Sequence, residues 1–395
     1  MRALTCEPVR IIHVADTHVD PTARYLGPKE QDRRGDFLRA FEYVVNKALE
    51  LEPDLLLISG DLFDRVNPRN PARTRVMRAL RRLHSEGIRI YAIGGNHDTP
   101  RSVEEGASPL HELEAAGYVR FFSKTREVEG ETVDIRGLKI CVSGASYNHT
   151  IPLDQDPLET MRIPREGDVN IVMLHYNFSS VRTPPIWRAP TIKETSIPSD
   201  VHYVALGHYH SFRKVPLGRT LVVYPGSTER RSFAEENEEK GFVYVELDEE
   251  GVRNLQYIKT NPRPLKTLRI TISENDENPV NTVVSAAKEH ADAKAILRLI
   301  IKGRLPQERL ASYNRNQILS ELEGRFFHVI IDDRELEYVF EQPEFEGFET
   351  LSPLKLYEDY LLKLLQDAGG DAGRRKILEE ALNLGRKFLE EAGAW

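Results

Sequence analysis

Five short polar motifs, each placed directly after an apolar run, constrain the fold of this chain more than any other feature of its sequence. The apolar runs predict buried strands at 10–15, 55–59, 89–93, 139–143, 170–174, 201–206, 221–224 and 241–246. Apolar positions at helical spacing predict intervening helices at 37–49, 73–83 and 109–116. This alternation is typical of α/β layers. Because the crossovers shorten along the chain, we expect a mixed sheet or two sheets packed face to face between helices.

The motifs place oxygen and imidazole donors at the ends of these strands. They are Asp16-Thr17-His18, Gly60-Asp61-Leu62-Phe63-Asp64, Gly95-Asn96-His97-Asp98, His175 and Gly207-His208-Tyr209-His210. Ligands bind outside the carboxyl ends of strands in open α/β sheets, so five strands would deliver these groups to one site. Seven candidate ligands exceed what one ion usually takes from a protein. Two ions about 3.5–4 Å apart, bridged by a carboxylate, would use them all.

Each motif also has a structural interpretation that involves no ligand. Asp64 would cap the following helix, and Asp98 would serve a helix start or turn at least as readily as it would orient His97. A single histidine at a strand end, such as His175, is more often a satisfied core group. The convergence of all five motifs therefore carries the prediction of a metal centre. The remaining histidines are predicted to be structural: His13, His84, His111, His149, His202, His290 and His328.

The cysteine content bears on both the metal and the compartment. Neither Cys6 nor Cys141 lies near the motifs in sequence. A mixed nitrogen and oxygen shell favours Mn²⁺, with Fe or Zn²⁺ as alternatives, over a thiolate site. Two cysteines fit a reducing compartment, and no apolar signal core precedes Val9, so we expect a cytoplasmic location. No apolar run approaches the ~20 residues of a membrane-spanning helix, and no membrane association is expected.

The net charge limits the ways in which this chain could bind polyanions. Its 54 Lys and Arg residues against 62 Asp and Glu residues give a formal charge of −8. That balance argues against a protein whose whole surface coats nucleic acid. Any affinity for phosphate must come from bound cations or from a local patch of arginines.

The ordered motifs resemble those of the calcineurin-like metallophosphoesterases, which are four-layer αββα sandwiches with a dinuclear metal centre. The segment Tyr224-Pro225-Gly226-Ser227-Thr228-Glu229-Arg230 and the later Lys240-Gly241-Phe242 resemble one branch, the SbcD-type nucleases of DNA double-strand-break repair, equivalent to the meiotic recombination eleven nuclease. The motif resemblance covers Val9 to about Leu247. Beyond Leu265 it is architectural only.

The resemblance implies a role for each motif residue. One metal would be held by Asp16, His18, Asp61 and His210, and the second by Asp61, Asn96, His175 and His208, with Asp61 bridging. His97 is similar to the family's catalytic histidine at the scissile phosphate. The resemblance also implies a homodimer formed by the helices after the second and third motifs. Leu110 and Leu113 are candidate contacts there, with a core position as the alternative.

The fold class predicted for the whole chain is α/β, with a small α+β capping domain and C-terminal helices after the sandwich. We predict a nuclease domain over 1–262, a capping, DNA-binding domain over 265–341 and C-terminal helices over 342–395. The stiff segment Asn261-Pro262-Arg263-Pro264 marks the first boundary. Two terminal helices, one starting at Ser352-Pro353 and the other at 374–392, carry more apolar surface than they can bury on each other. They would either pack on the chain itself or dock a partner.

Candidate DNA contacts lie in two loops predicted near the site. Arg33 and Arg34 are assigned to a polar loop after the first motif, and Arg182, Trp187 and Arg188 follow His175. Arginines and an aromatic ring in such positions would contact a phosphate backbone or a splayed base.

The motifs predict a two-metal hydrolytic site, and the resemblance implies that it belongs to a Mn²⁺-dependent DNA exonuclease and endonuclease. By resemblance, its partners would be DNA ends and hairpins and an SMC-like coiled-coil ABC ATPase that the C-terminal helices dock. One alternative is a phosphomonoesterase or small phosphodiesterase with the same site, and another is a binding scaffold with a vestigial site.

Overall fold

The fold was analysed in a computed structural model, which describes residues 7–184, 187–339, 352–369 and 371–392. The strands are β1 (Val9–Val14), β2 (Leu55–Ser59), β3 (Arg89–Ile93), β4 (Arg120–Phe122), β5 (Glu129–Ile135), β6 (Leu138–Gly144), β7 (Val169–Leu174), β8 (Asn177–Phe178), β9 (Thr191–Ile192), β10 (Tyr203–Leu206), β11 (Arg213–Leu217), β12 (Thr220–Tyr224), β13 (Gly241–Asp248), β14 (Gly251–Lys259), β15 (Leu265–Ile272), β16 (Asp292–Pro306) and β17 (Phe326–Val339). The helices are α1 (Glu30–Leu51), α2 (Asn70–Ser85), α3 (Leu110–Ala115), α4 (Pro279–Lys288), α5 (Arg315–Leu322), α6 (Pro353–Asp367) and α7 (Ala372–Glu391).

Two six-stranded sheets form the body of the protein. The first has the order β14-β13-β1-β2-β3-β4, with β1 to β4 parallel. The second has the order β11-β12-β10-β7-β6-β5, with a parallel centre and antiparallel edge strands. Apolar side chains from both sheets, such as Leu57 and Ile171, share one buried core. The sequence-based expectation of two sheets packed face to face is therefore confirmed.

Helices cover the outer face of the first sheet. Phe41 and Val44 of α1 and Leu80 of α2 pack on Leu56 and Ile90 of the sheet. Over the second sheet, the described residues that connect β6 to β7 and β7 to β10 contain a short 3-10 turn and the two-residue strands β8 and β9 rather than an α-helix. Their aromatic side chains complete a third core there. The predicted α/β sandwich is confirmed, with irregular chain forming the layer over its second sheet.

One predicted placement is wrong, and another follows its stated alternative. Arg33 and Arg34 lie in α1, which begins at Glu30, and not in a loop. The polar, charged start of α1 carries no apolar periodicity, so the pattern placed the start of the helix too late. Leu110 and Leu113 are buried in the core beneath the first sheet's helices. They are therefore core residues, the alternative foreseen for them, and they are not exposed for a dimer contact.

The segment after Pro264 forms a small α+β module. Its sheet has the order β15-β16-β17, and α4 is capped by the Asn278 side chain, which accepts a hydrogen bond from the Asn281 N–H at 3.0 Å. Arg263 joins the module to α1 because its guanidinium pairs with Asp36 at 2.6 Å and lies 3.6 Å from the centre of the Phe327 ring.

The chain divides into two compact units, of Met1–Arg304 with Ala311–Glu337 and of Leu305–Leu310 with Tyr338–Trp395. The three-domain division at 262 and 341 stays a prediction, and its second boundary lies outside the described residues. In the second unit α6 and α7 pack on each other, and the Tyr357 hydroxyl donates to the Ala381 carbonyl at 2.6 Å. Across the described ranges, the helices are too short or too polar to cross a bilayer.

Candidate metal centre

Strand register brings the five motifs to one edge of the sandwich. Val14 pairs with Ile58 and Ser59 with Ile93, so β1, β2 and β3 end side by side. Leu206 pairs with Leu174, so β10 and β7 also end together. The motifs that follow these strands meet between the two sheets, as the sequence predicted.

The first group of donor atoms surrounds His18. Its Nε2 lies 3.0 Å from Nε2 of His210 and 3.7 Å from Oδ2 of Asp61. His210 Nε2 lies 3.8 Å from Oδ1 of Asp16. Single ligand atoms of Asp16, His18 and His210 fall within 4.8 Å of one another, which is the spacing of ligands around one ion.

The second group surrounds Asn96 and His175. His175 Nε2 lies 3.4 Å from Oδ2 of Asp61 and 3.2 Å from Oδ1 of Asn96. His208 Nδ1 lies 3.0 Å from the same Asn96 oxygen. Asp61 thus contacts both groups, and all seven predicted ligands come together. The roles assigned to them remain a proposal, taken up below.

The backbone around the centre adopts conformations that most side chains avoid. Four of the predicted ligands have positive φ angles: Asp16 at 52°, His18 at 43°, Asp61 at 51° and His208 at 89°. Asp and His tolerate this region better than branched residues, and such strain concentrates at functional sites.

Close packing explains the glycines of these motifs. A Cβ atom on Gly95 would lie 2.2 Å from Oδ1 of Asp61, and one on Gly207 would lie 2.0 Å from the Ser59 carbonyl and 2.5 Å from Nδ1 of His175. The Ser59 carbonyl accepts a hydrogen bond from the His175 Nδ1–H at 2.8 Å. His175 therefore turns its Nε2 toward the other donors.

Burial and charge perturb the titration of these groups. Burial raises the pKa of Asp16, whereas the pKa of Asp61 is held well below its usual range because the opposing effect of burial is outweighed by the charge of His175. Burial lowers the pKa of His18 and His208 to about 3. Burial acts against protonation of His175 too, but the Asp61 and Asp16 carboxylates raise its pKa to about 9.

The donor set fits divalent cations. It combines carboxylate and amide oxygens with imidazole nitrogens, and the two aspartates are nearly inaccessible to solvent. Buried carboxylates at this density need positive charge nearby, which protonated imidazoles supply only in part. Mixed oxygen and nitrogen donors suit Mn²⁺, Fe and Zn²⁺.

His97 lies at the rim of the centre, where its side chain is 25% exposed. Its backbone N–H donates to Oδ1 of Asp61 at 2.7 Å. The ring Nδ1 lies 3.1 Å from the Asp64 carbonyl oxygen, and Nε2 lies 3.2 Å from Nη1 of Arg231. A carbonyl can only accept and a guanidinium can only donate, so Nδ1 carries the proton and Nε2 is the acceptor. His97 also lines a cavity of about 360 Å³ that opens beside Arg65 and Arg101.

Sequence reasoning missed three functional candidates near His97 and His210. Asp64 was expected to cap a helix, but α2 begins at Asn70, and the Asp64 carboxylate instead lies 3.3 Å from Nδ1 of His18 and 2.9 Å from Nη2 of Arg231. Arg231 follows the quoted branch motif directly, and Glu235 lies four residues later. Of these three residues, only Asp64 had a sequence signal, as the second aspartate of the Gly-Asp-x-x-Asp motif.

Asp98 has the turn role that was its alternative interpretation. Its carboxylate accepts hydrogen bonds from the backbone N–H of Gly95 at 2.7 Å and of Phe63 at 3.1 Å. Burial raises the pKa of Asp98 to about 7. It fixes the loop that presents Asn96 and His97.

The predicted DNA contacts lie in different environments. Arg33 is buried, and its guanidinium pairs with Asp36 at 3.1 Å and with Glu229 at 3.2 Å. Arg34 is largely covered, whereas Arg182 and Arg188 are exposed. The Trp187 ring is half-buried, with its centre 4.2 Å from that of His210, so it covers a predicted ligand.

Comparison with known proteins agrees with this geometry. The sequence matches the family described as calcineurin-like phosphoesterase over residues 9–212. The chain belongs to that family. The predicted resemblance is thereby confirmed, as is the prediction of a metal-dependent phosphoesterase enzyme.

Several curated relatives carry the name DNA double-strand break repair protein Mre11. This phosphoesterase is 26% identical to the one from Methanosarcina acetivorans over 97% of its own length and 61% of the relative's. It is 29% identical to that of Methanosarcina mazei over 72% and 43%, and 29% identical to that of Aeropyrum pernix over 75% and 74%. It thus spans less than two thirds of the length of the two Methanosarcina relatives.

Proposed function

We propose that this phosphoesterase is a Mn²⁺-dependent DNA nuclease that hydrolyses phosphodiester bonds at a two-metal centre in double-strand-break repair. The observation that carries the proposal is the convergence of seven oxygen and nitrogen donor residues, six of them buried, beside one partly exposed histidine, His97. The names of the relatives support DNA as the substrate class.

In this proposal Asp61 would contribute to the sites of two cations, since its carboxylate lies near both His18 and His175. Asp16, His18 and His210 would complete one site, and Asn96, His175 and His208 the other. Two cations held there would supply Lewis-acid activation of water and neutralise charge on the phosphate. The chain contributes dry, fixed donors, so little reorganisation is needed when substrate binds.

His97 and Arg231 would act on the side of the phosphate away from the buried donors. Arg231 can turn its guanidinium from His97 Nε2 to a phosphate oxygen, for which the guanidinium is well matched in geometry and charge. That movement frees Nε2. Protonated at Nε2, His97 would donate a hydrogen bond to the leaving oxygen, while Nδ1–H stays on the Asp64 carbonyl.

Contacts to the rest of the DNA would come from cations around the open rim. Arg182 and Arg188 remain proposed contacts because both are exposed, and Arg34 is retained only as a peripheral one. Arg33 is not among them because its guanidinium is buried on two carboxylates. Trp187 would shield His210 rather than stack on a base.

Cleavage of end-labelled duplex and hairpin DNA with Mn²⁺ tests the proposal. Wild type should cut both, and His97→Ala should reduce cutting by at least about 100-fold. His111→Ala is the matched control, because His111 is an exposed histidine on α3 that pairs with Glu114. If His97→Ala cleaves DNA as fast as wild type does, the role assigned to His97 is wrong.

Two other functions give different outcomes in the same assay. A phosphomonoesterase or small phosphodiesterase would turn over p-nitrophenyl phosphate or cyclic nucleotides and leave DNA intact. The capping module and terminal helices argue against it, because a small substrate does not require them. A scaffold with a vestigial site would bind DNA without cutting it, and the complete donor set argues against that alternative.

The proposal includes partners. We infer an SMC-like coiled-coil ABC ATPase docked on α6 and α7, supported by the exposed apolar side chains Ile377, Leu384 and Phe388. A homodimer would use the outer faces of α2 and α3, since Leu110 and Leu113 are buried. A DNA-binding role for the capping module and a cytoplasmic location complete the proposal.

A further inference from the structure

A buried carboxylate, Glu235, lies behind one of the proposed metal ligands. It ends a 3-10 turn at Phe233–Glu235 and is 2% exposed. Its Oε1 lies 3.1 Å from Nδ1 of His210, on the side of the ring opposite the metal centre. Its Oε2 lies 2.7 Å from Nζ of Lys240.

This contact determines which ring nitrogen of His210 carries the proton. An ionised carboxylate only accepts hydrogen bonds, so His210 carries its proton on Nδ1. Nε2 then keeps its lone pair, and Nε2 is the atom that lies 3.0 Å from His18 Nε2 and 3.8 Å from Asp16 Oδ1. A neutral imidazole with Nδ1 held by a carboxylate is the arrangement that orients and strengthens a histidine ligand.

Lys240 holds the carboxylate in place. Its ammonium group is fully buried and donates to the His210 carbonyl oxygen at 2.9 Å and to Glu238 at 2.9 Å, in addition to its pair with Glu235. Lys240 therefore binds both the His210 carbonyl oxygen and the Glu235 carboxylate that contacts the His210 ring. A buried charge pair with further hydrogen bonds is rigid because loss of any partner leaves a charge unpaired.

The same carboxylate reaches the opposite side of the site. Its Oε2 accepts a hydrogen bond from the backbone N–H of Arg231 at 3.2 Å. Arg231 carries the guanidinium that contacts His97. Glu235 therefore connects a proposed ligand with the group proposed to meet the phosphate.

We propose that Glu235 is a positioning residue of the metal centre, which holds His210 in its Nδ1–H form and anchors the Arg231 backbone, with Lys240 as its counter-charge. This inference rests on the two-metal site proposed above. A turn that needed only a buried ion pair would require Lys240 and Glu235 but not the contact with His210.

Two substitutions of Glu235 distinguish the effect of its side-chain length from the effect of its charge. Glu235→Asp keeps the negative charge for Lys240 but shortens the side chain by one methylene, so it cannot reach His210 Nδ1 at hydrogen-bond distance. Glu235→Gln loses the charge but keeps an oxygen that reaches Nδ1. Glu238→Asp is the control, because the Glu238 carboxylate pairs with Lys240 at 2.9 Å, whereas the hydrogen bond to the His210 ring comes from Glu235. Metal-free thermal unfolding shows whether each variant is folded.

Mn²⁺ titration by calorimetry is the first measurement. Wild type should bind two ions per chain. Glu235→Asp should keep one and bind the other at least about 10-fold more weakly, and Glu235→Gln should recover most of that loss. Glu238→Asp should bind both as wild type does. A role limited to the ion pair predicts the reverse order, with Glu235→Asp nearer wild type than Glu235→Gln, and that order would overturn the inference.

Tryptophan fluorescence assigns the weakened site. The chain has two tryptophans, so a Trp395→Phe background leaves Trp187, whose ring centre lies 4.2 Å from that of His210. Mn²⁺ bound at His210 should quench Trp187, and Glu235→Asp should shift that quenching to higher Mn²⁺ by the same factor.

Nitrogen-15 NMR of the histidine rings tests Glu235 in the absence of metal. His210, assigned by its loss in His210→Gln, should be an Nδ1–H tautomer in wild type and a mixture in Glu235→Asp. An unchanged tautomer overturns the inference whatever the metal titration gives. Wild type that binds no Mn²⁺ while the tautomer responds would instead overturn the proposed metal centre.

Discussion

Arg231 Nη1 lies 3.2 Å from His97 Nε2, and the same guanidinium lies 2.9 Å from the Asp64 carboxylate. The guanidinium therefore occupies Nε2 of His97, and Nε2 is the ring atom that would act on a phosphate because Nδ1 contacts the Asp64 carbonyl. Its side chain is 34% exposed, so a ligand can reach it from solvent.

Replacing Arg231 should slow the chemical step. We expect Arg231→Gln to lower kcat for DNA cleavage about 100-fold while Mn²⁺ binding is unchanged, because one charge-assisted phosphate contact is lost in a dry site. Arg231→Lys should retain part of the rate, since an ammonium keeps the charge without the fork. Single-turnover cleavage measures this. Arg253→Gln is the control and should leave the rate unchanged, because Arg253 is an exposed arginine of β14 that pairs with Asp248 of β13.

Metal binding should stabilise the fold through the buried carboxylates. An ion that binds only the folded chain stabilises it by about 2.7 kcal/mol at a concentration 100 times its Kd. We therefore expect Mn²⁺ to raise the Tm of the EDTA-treated protein, and Asp61→Asn to remove most of that rise, since Asp61 contacts both donor groups. Scanning calorimetry with and without Mn²⁺ provides the comparison. An equal rise in Asp61→Asn would exclude Asp61 as a bridge.

Gly207 is expected to tolerate no side chain. Its Cβ would lie 2.0 Å from the Ser59 carbonyl oxygen and 2.5 Å from His175 Nδ1, so either β10 or the histidine must move. Gly207→Ala should lower the Tm and abolish Mn²⁺ binding. Gly35→Ala is the control, because in α1 the added methyl group would meet only the mobile end of Arg39. It should leave stability unchanged or raise it slightly, as alanine favours helix.

Much of the site could be predicted from sequence because the motifs follow buried strands. Asp16, Asp61 and Asn96 end parallel neighbours, so strand order alone brings them together. His175 and His208 reach the same place only because the second sheet packs on the first. That packing depends on apolar residues common to any buried strand, so the sequence pattern alone left open whether one mixed sheet or two packed sheets would bring them together.

The missed residues show what local patterns do not encode. Arg231 and Glu235 follow β12 in a loop with no periodicity, and their contacts cross the chain to His97 and His210. Arg33 has the composition of a phosphate contact, but it is buried because Glu229, almost 200 residues later, pairs with it. Two edge strands were also absent from the prediction: β4 has only three residues, which is too short to show a period, and the mostly exposed residues of β11 carry little hydrophobic signal.

His13 should make stability depend on pH. Burial lowers the pKa of His13 to about 3, and its Nδ1 lies 2.9 Å from the Tyr203 hydroxyl. The unfolded chain has the ordinary pKa of 6.5, so it binds the proton more tightly, and stability is lost as the pH falls below 6.5 toward 3. Each pH unit in that window costs up to about 1.4 kcal/mol.

The variant His13→Asn isolates this contribution from that of the other buried histidines. Between pH 7.5 and 5, the free energy of unfolding should fall by about 2 kcal/mol less in His13→Asn than in wild type, because asparagine does not titrate. Urea unfolding of the EDTA-treated proteins at both pH values gives the difference. An equal fall in the free energy of unfolding in both proteins would mean that His13 binds its proton as readily in the folded chain as in the unfolded chain.

The exposed apolar side chains of α7 should matter for a partner and not for catalysis. Ile377 is 69% exposed and Phe388 is 60% exposed. Their helix is joined to α6 by hydrogen bonds of Ala381 with Tyr357 and of Arg386 with Glu358. Single apolar residues are common on surfaces, but several on one helix indicate a docking surface. Ile377→Glu with Phe388→Glu should therefore weaken binding of the SMC-like ATPase at least about 10-fold. Mn²⁺-dependent cleavage by the isolated chain should be unchanged.

Co-purification and calorimetry with the ATPase measure this loss. Lys387→Glu, which alters charge on the same helix without touching the apolar side chains, is the control. A chain truncated before Ser352 should lose the ATPase entirely and still cleave DNA. Retained ATPase binding in the truncated chain would rule out the terminal helices as the docking element.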